Sequence, residues 1–103
     1  MSVQNEISNA IKNRQRVEIL YKKAGEEPKQ RYFDPWICGE ALLADGKKPM
    51  VGGYFVGEHV ARIPLERIVE VKALLTEAIA PVDSTTGNDN RSWQWETIFA
   101  EWA

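Results

Sequence analysis

A chain of 103 residues, 44% of them hydrophobic, has material for one modest core and not for two. Its formal net charge of -2 argues against a polybasic nucleic-acid tail or a membrane-surface binder, and its one cysteine, Cys38, excludes an internal disulfide framework. The charge is unevenly spread: residues 1–79 carry twelve Lys and Arg against eleven Asp and Glu, whereas residues 80–103 set Arg91 against Asp83, Asp89, Glu96 and Glu101.

In chain order, Ser2 caps an expected helix in which Val3, Ile7, Ala10 and Ile11 share one face, with Asn13 as its stop. A helix this short is marginal alone in water, so it is expected to lie on the sheet that follows. Val17, Ile19 and Tyr21 alternate with Glu18 and Leu20, the period-2 pattern of a half-buried strand. Lys22 to Lys29 reads as a solvated hairpin connection, with Gly25 free to take positive φ. Gln30 to Asp34 is the second strand; Pro35 ends its pairing, and Trp36 and Ile37 cover an open end of the sheet.

Glu40 to Ala44 is read as a third strand because of its length and the Asp45-Gly46 turn after it. Met50 to Val56 is the fourth, and its Gly52-Gly53 pair suggests a bulge or a sharp bend. Glu58 to Ile63 follows a tight turn at Gly57, and Ile68 to Ala73 follows the Pro64-Leu65-Glu66-Arg67 corner. Short strands at close spacing without helical crossovers predict a mainly β fold, a small closed or nearly closed antiparallel barrel of five to six strands. Residues 1–79 would form this domain, and residues 80–91, polar and turn-forming, a flexible linker. Ser92 would cap a C-terminal amphipathic helix over residues 92–103, in which Trp95, Ile98, Phe99 and Trp102 recur at i, i+3, i+4 and i+7. That stripe either folds back on its own barrel or docks on a second copy or another protein, making a homodimer or a partner complex.

The order Ala10-Ile11-Lys12, Val17-Glu18-Ile19-Leu20-Tyr21, Arg31-Tyr32-Phe33-Asp34-Pro35, Gly53-Tyr54 and Arg62-Ile63-Pro64-Leu65-Glu66-Arg67-Ile68 resembles the WYL domain family. The resemblance runs from about Ile7 to Leu75, with Pro49-Met50-Val51 standing where the name-giving Trp-Tyr-Leu would be. It implies an Sm-like or SH3-like small β-barrel and a bacterial regulatory or sensor module contacting single-stranded nucleic acid, nucleotides or a related anionic ligand. Carried over by position, the basic ligand face would be Arg31, Arg62 and Arg67, since guanidinium forks donate paired, charge-assisted hydrogen bonds to phosphate oxygens. Tyr21 and Tyr54 could stack on a base, and His59 could add a switchable donor. Each has a plainer reading: a surface arginine is commonly solvated or paired with a carboxylate such as Glu66 or Glu70, and a strand tyrosine commonly belongs to the core.

One histidine, one cysteine and no clustered ligands offer none of the common metal spacings, and no Ser-His-Asp or Cys-His pairing stands out. The expectation is therefore a protein that is not an enzyme and needs no cofactor or metal, with Cys38 as packing. The start of the chain lacks a basic region followed by an apolar run, and no apolar stretch approaches the roughly 20 residues of a membrane span, so a cytoplasmic location without membrane contact is expected.

Overall fold

The computed structural model describes residues 2–81 and 94–102. Its elements are α1 (Val3–Lys12), β1 (Gln15–Tyr21), β2 (Lys29–Leu43), β3 (Gly46–Phe55), β4 (Val60–Pro64), a 3-10 turn (Leu65–Arg67), β5 (Ile68–Glu77) and β6 (Thr97–Glu101). Helix α1 begins where its cap dictates: the Ser2 side chain accepts from the Asn5 backbone N–H at 3.1 Å. It buries Ile7, Ala10 and Ile11, and it packs across β5, β2, β6 and β1. Arg14, at φ 55, then turns the chain from helix into β1.

The strands form one antiparallel sheet in the order β4-β3-β2-β1-β5, with β6 added beside β2. The expected closed barrel is not formed: β4 and β5 end the order and are joined through the 3-10 turn rather than by a ladder, while α1 covers the core. Register sorts the faces. Val17 pairs with Phe33, Ile19 with Arg31, and Phe33 with Phe55, so the core face carries the aromatic and β-branched side chains of three strands.

Two expected strands, Gln30–Asp34 and Glu40–Ala44, are the two halves of the 15-residue β2. Pro35 does not end the pairing. The ladder with β3 runs Asp34 to Tyr54 and Pro35 to Gly53, then resumes at Ile37 to Gly52, leaving Trp36 as the extra residue of a bulge. A bulge accepts proline because the ladder is already interrupted there. Gly53 meets this distortion from the other side, since a Cβ on it would lie 2.2 Å from the Asp34 carbonyl oxygen. Trp36 is therefore buried within β2 rather than covering an open end.

A polar network built around a fully buried carboxylate fixes the bulge. Asp34 has no exposed surface, and Arg16 donates to both its oxygens, from Nε at 2.8 Å and from a terminal nitrogen at 3.2 Å. The second oxygen also accepts from the Ile79 N–H at 3.0 Å, and the Ile79 carbonyl accepts from the Trp36 indole N–H at 2.6 Å. This pairing holds the Arg16 guanidinium above its ordinary pKa. Cys38 lies in the core 3.3 Å from the Ser8 hydroxyl, and burial pushes its thiol pKa up, in keeping with a packing role.

The C-terminal segment is a strand, not the expected amphipathic helix. β6 pairs antiparallel with Ile37–Glu40 of β2, and Trp102 N–H donates to the Trp36 carbonyl at 2.7 Å. The free edge of β2 outcompetes the helical spacing of Trp95, Ile98, Phe99 and Trp102, because pairing satisfies backbone groups on both strands at once. Most of the expected linker and Ser92 lie outside the described residues. Gly39 makes the docking possible: a Cβ there would sit 2.0 Å from the Thr97 carbonyl oxygen. Gly39→Ala is expected to lift β6 while leaving β1–β5 folded. Hydrogen exchange would check this, with protection lost at the Glu96 and Trp102 amides; retained protection there would refute it.

Candidate functional site

Phe55, the last residue of β3, is the centre of the cluster where β1 ends and β2 begins. Its ring lies 5.6 Å from that of Tyr21 and 5.7 Å from that of His59, and meets Phe33 edge-on at 4.9 Å. The tight turn after β3 builds part of this. Gly57 takes φ 78, Glu58 N–H donates to the Phe55 carbonyl at 2.8 Å, and Phe55 N–H donates to the His59 carbonyl at 2.9 Å.

Arg31 occupies this end of the core face because β2 pairs it with Ile19. Its guanidinium carbon stands 4.9 Å from the Phe55 ring centroid, and its terminal nitrogen donates to both carboxylate oxygens of Glu58. The arginine is thus stacked on an aromatic face with its donors aimed outward at an anion, here a carboxylate of the same chain. Beside it, a cleft of about 30 Å³ is lined by Tyr21, Lys23, Glu26, Glu27, Lys29 and Arg31. Arg31 and Glu58 keep 23% and 43% of their side-chain surface in solvent, so a ligand can reach the pair.

Of the residues singled out from sequence, the structure brings together Tyr21, Arg31 and His59. Tyr54, one residue from Phe55 on β3, points to the opposite sheet face, where its hydroxyl accepts from the Gly57 N–H at 3.2 Å. Arg67 lies in the 3-10 turn, its carbonyl accepting from the Lys22 N–H at 2.8 Å. Arg62, on β4, faces the C-terminal segment: it donates to the Gln94 carbonyl at 3.3 Å, and its guanidinium lies 5.9 Å from the Trp95 ring centroid. Among the tail residues, Trp102 stacks under Arg14 at 5.2 Å, Phe99 packs against the core and Ile98 stays exposed.

Sequence reasoning missed Phe55 and Glu58. Phe55 reads as ordinary strand core, and only cross-strand register places it under Arg31. Glu58 sits in a turn, where nothing in its spacing announces the partner. A larger groove of about 590 Å³, bordered by Val3 and Glu6 of α1 and by β1 and β5, contains none of the selected residues. Among the described residues no three His, Cys, Asp or Glu side chains gather to hold a metal ion, and no helix is long and apolar enough to cross a membrane.

Among the described residues, fold and site together define a small module with one six-stranded antiparallel sheet, one α-helix, and an aromatic-backed arginine at one end of the sheet. Among solved structures, the chain is similar to the proteasome accessory factor B/C (PafBC) of Arthrobacter aurescens, with a TM-score of 0.66 and 15% sequence identity. The match covers 79% of this chain and 13% of that one, so the chain spans a small part of the protein it resembles, and the likeness is one of fold. No family model matches the sequence, and no curated protein does.

Proposed function

We propose that the chain is a WYL-like regulatory or sensor module of the Sm-like type, non-enzymatic and cytoplasmic, that binds an anionic ligand, single-stranded nucleic acid or nucleotide. The fold likeness to an accessory factor is compatible with the WYL-like fold implied by the sequence motifs and with a regulatory role. The observation that carries the binding reading is Arg31, stacked on Phe55 and presenting its donors to the Glu58 carboxylate. A phosphate or carboxylate of a ligand would take the place of Glu58 and use the same donors, while the buried ring of Phe55 backs the guanidinium and Tyr21 stays in the core rather than open to a base.

Glu58 then acts as a competitor inside the site, and removing its charge should strengthen binding. Glu58→Gln is expected to bind a fluorescein-labelled ten-residue oligothymidylate about 3- to 10-fold more tightly at low salt, the range set by an exposed charge pair and a charge-assisted bond. Arg31→Ala should weaken that binding about 10-fold, the loss of a charge-assisted hydrogen bond, and the affinity of the parent should fall with added salt. Absence of binding by both the parent and Glu58→Gln, in fluorescence polarisation at low salt, would sink the proposal.

A further inference from the structure

Arg62 is separated from the Phe55 cluster, and its surroundings have a different origin: they are supplied by the chain's own C-terminal segment. Three consecutive residues reach cationic side chains on β3 and β4. Gln94 offers its carbonyl oxygen to Arg62 at 3.3 Å, Trp95 offers its ring face to the same guanidinium at 5.9 Å, and Glu96 offers its carboxylate to Lys47 at 3.9 Å. An oxygen acceptor, a flat π-surface and an anionic oxygen, in succession along one short segment ahead of β6, are the groups that a single-stranded nucleic acid presents along its backbone and bases.

Each of these contacts is near the weak end of its class. The hydrogen bond is long and to a neutral acceptor, the ring lies close to the outer limit for a cation–π contact, and the ion pair is exposed on both sides. They occupy the cations without holding them firmly. The backbone anchors flank β6 on the C-terminal side of these contacts, where Glu96 N–H donates to the Glu40 carbonyl at 2.8 Å and Trp102 N–H to the Trp36 carbonyl at 2.7 Å. The segment is therefore positioned by β6 pairing, and its side chains contribute little to that pairing.

We infer that residues 94–96 are an internal pseudo-ligand, occupying a second anion-binding face at Arg62 and Lys47 that takes single-stranded nucleic acid when the segment is displaced. The inference rests on the proposed binding of anionic ligands but uses a different arginine from the Arg31 site. Tethering gives the segment a high effective concentration, so even weak contacts reduce the apparent affinity for a ligand in solution.

The test uses the full chain and the labelled ten-residue oligothymidylate at low salt. The double variant Trp95→Ala with Glu96→Gln is expected to bind about 5-fold more tightly than the parent, the effect of removing one exposed ion pair and one exposed cation–π contact. Adding Arg62→Ala should abolish the gain, whereas adding Arg31→Ala should preserve it as a ratio between strap-intact and strap-weakened proteins. Gly39→Ala, which lifts β6 without changing any group at 94–96, should reproduce the gain and guards against a folding defect in the double variant. Unchanged affinity in both strap variants overturns the inference, as does a gain that survives Arg62→Ala. A loss of affinity in the double variant also overturns it, since Trp95 would then be stacking a base rather than blocking one. The Arg31 proposal is decided separately by Arg31→Ala and Glu58→Gln.

Discussion

Replacing Arg16 with alanine is expected to cost about 3–5 kcal/mol of folding stability, because it leaves a buried carboxylate without its cation. Asp34 has no exposed surface, and its remaining partner would be the single N–H of Ile79. Arg16 keeps 22% of its side-chain surface in solvent, yet its two donors close on a carboxylate that water cannot reach. The loss should therefore exceed the 0–1 kcal/mol typical of surface ion pairs. Urea unfolding of the variant measures it. Removing both charges, as Arg16→Met with Asp34→Leu, should recover much of the loss, since a buried pair is costly mainly when broken. A single-variant loss below about 1 kcal/mol would place this pair among ordinary surface bridges and refute the argument.

The second large effect concerns Trp36. Trp36→Ala is expected to destabilise the protein by about 3–5 kcal/mol through lost burial and the cavity left behind. Trp36 is 1% exposed and is the extra residue of the β2 bulge, so neither strand can slide to fill the space without shifting the ladder. Trp36→Phe separates packing from hydrogen bonding: it keeps an aromatic ring but loses the indole bond to the Ile79 carbonyl, for a cost of about 1 kcal/mol plus any mismatch in volume. Because Ile79 donates to Asp34 and accepts from Trp36, the Arg16 and Trp36 substitutions share a residue. Their combined effect should fall short of the sum of the two, and strict additivity in a double-mutant cycle would show that the network does not act as a unit.

What the sequence made legible follows from where local rules decide. Ser2 and the spacing of Ile7, Ala10 and Ile11 were enough to place α1, because capping and a single buried face are local properties. The alternation of Val17, Ile19 and Tyr21 likewise placed β1, and Gly25, Gly46 and Gly57 all take the positive φ of turns. Pro35 misled because its missing N–H suggests the end of a ladder, whereas here it stands at a bulge whose extra residue is Trp36. The tail misled more strongly. Of the four aromatic and aliphatic residues at helical spacing, Ile98 and Phe99 fall within β6, Phe99 at its register shift, while Trp95 and Trp102 flank it, and the edge of β2 that the strand joins is invisible in the tail's own sequence. At the candidate site, Tyr21 and His59 were singled out by residue type and Arg31 by its place in the resemblance. Their meeting over Phe55 depends on cross-strand register, which no local pattern specifies.

The late position of β6 has a consequence for how the protein is made. The segment Ile37–Glu40 has β3 on one edge as soon as that hairpin forms, but its other edge waits for residues Thr97–Glu101. At about 5–20 residues per second, the 57 residues from Glu40 to Thr97 take roughly 3–11 s to add. During that interval the nascent chain carries an unpaired strand edge in the middle of its sheet, narrowed at Gly39 and open to any extended peptide nearby. Completion of the tail is thus also the step that ends the chain's exposure to wrong strand partners during synthesis.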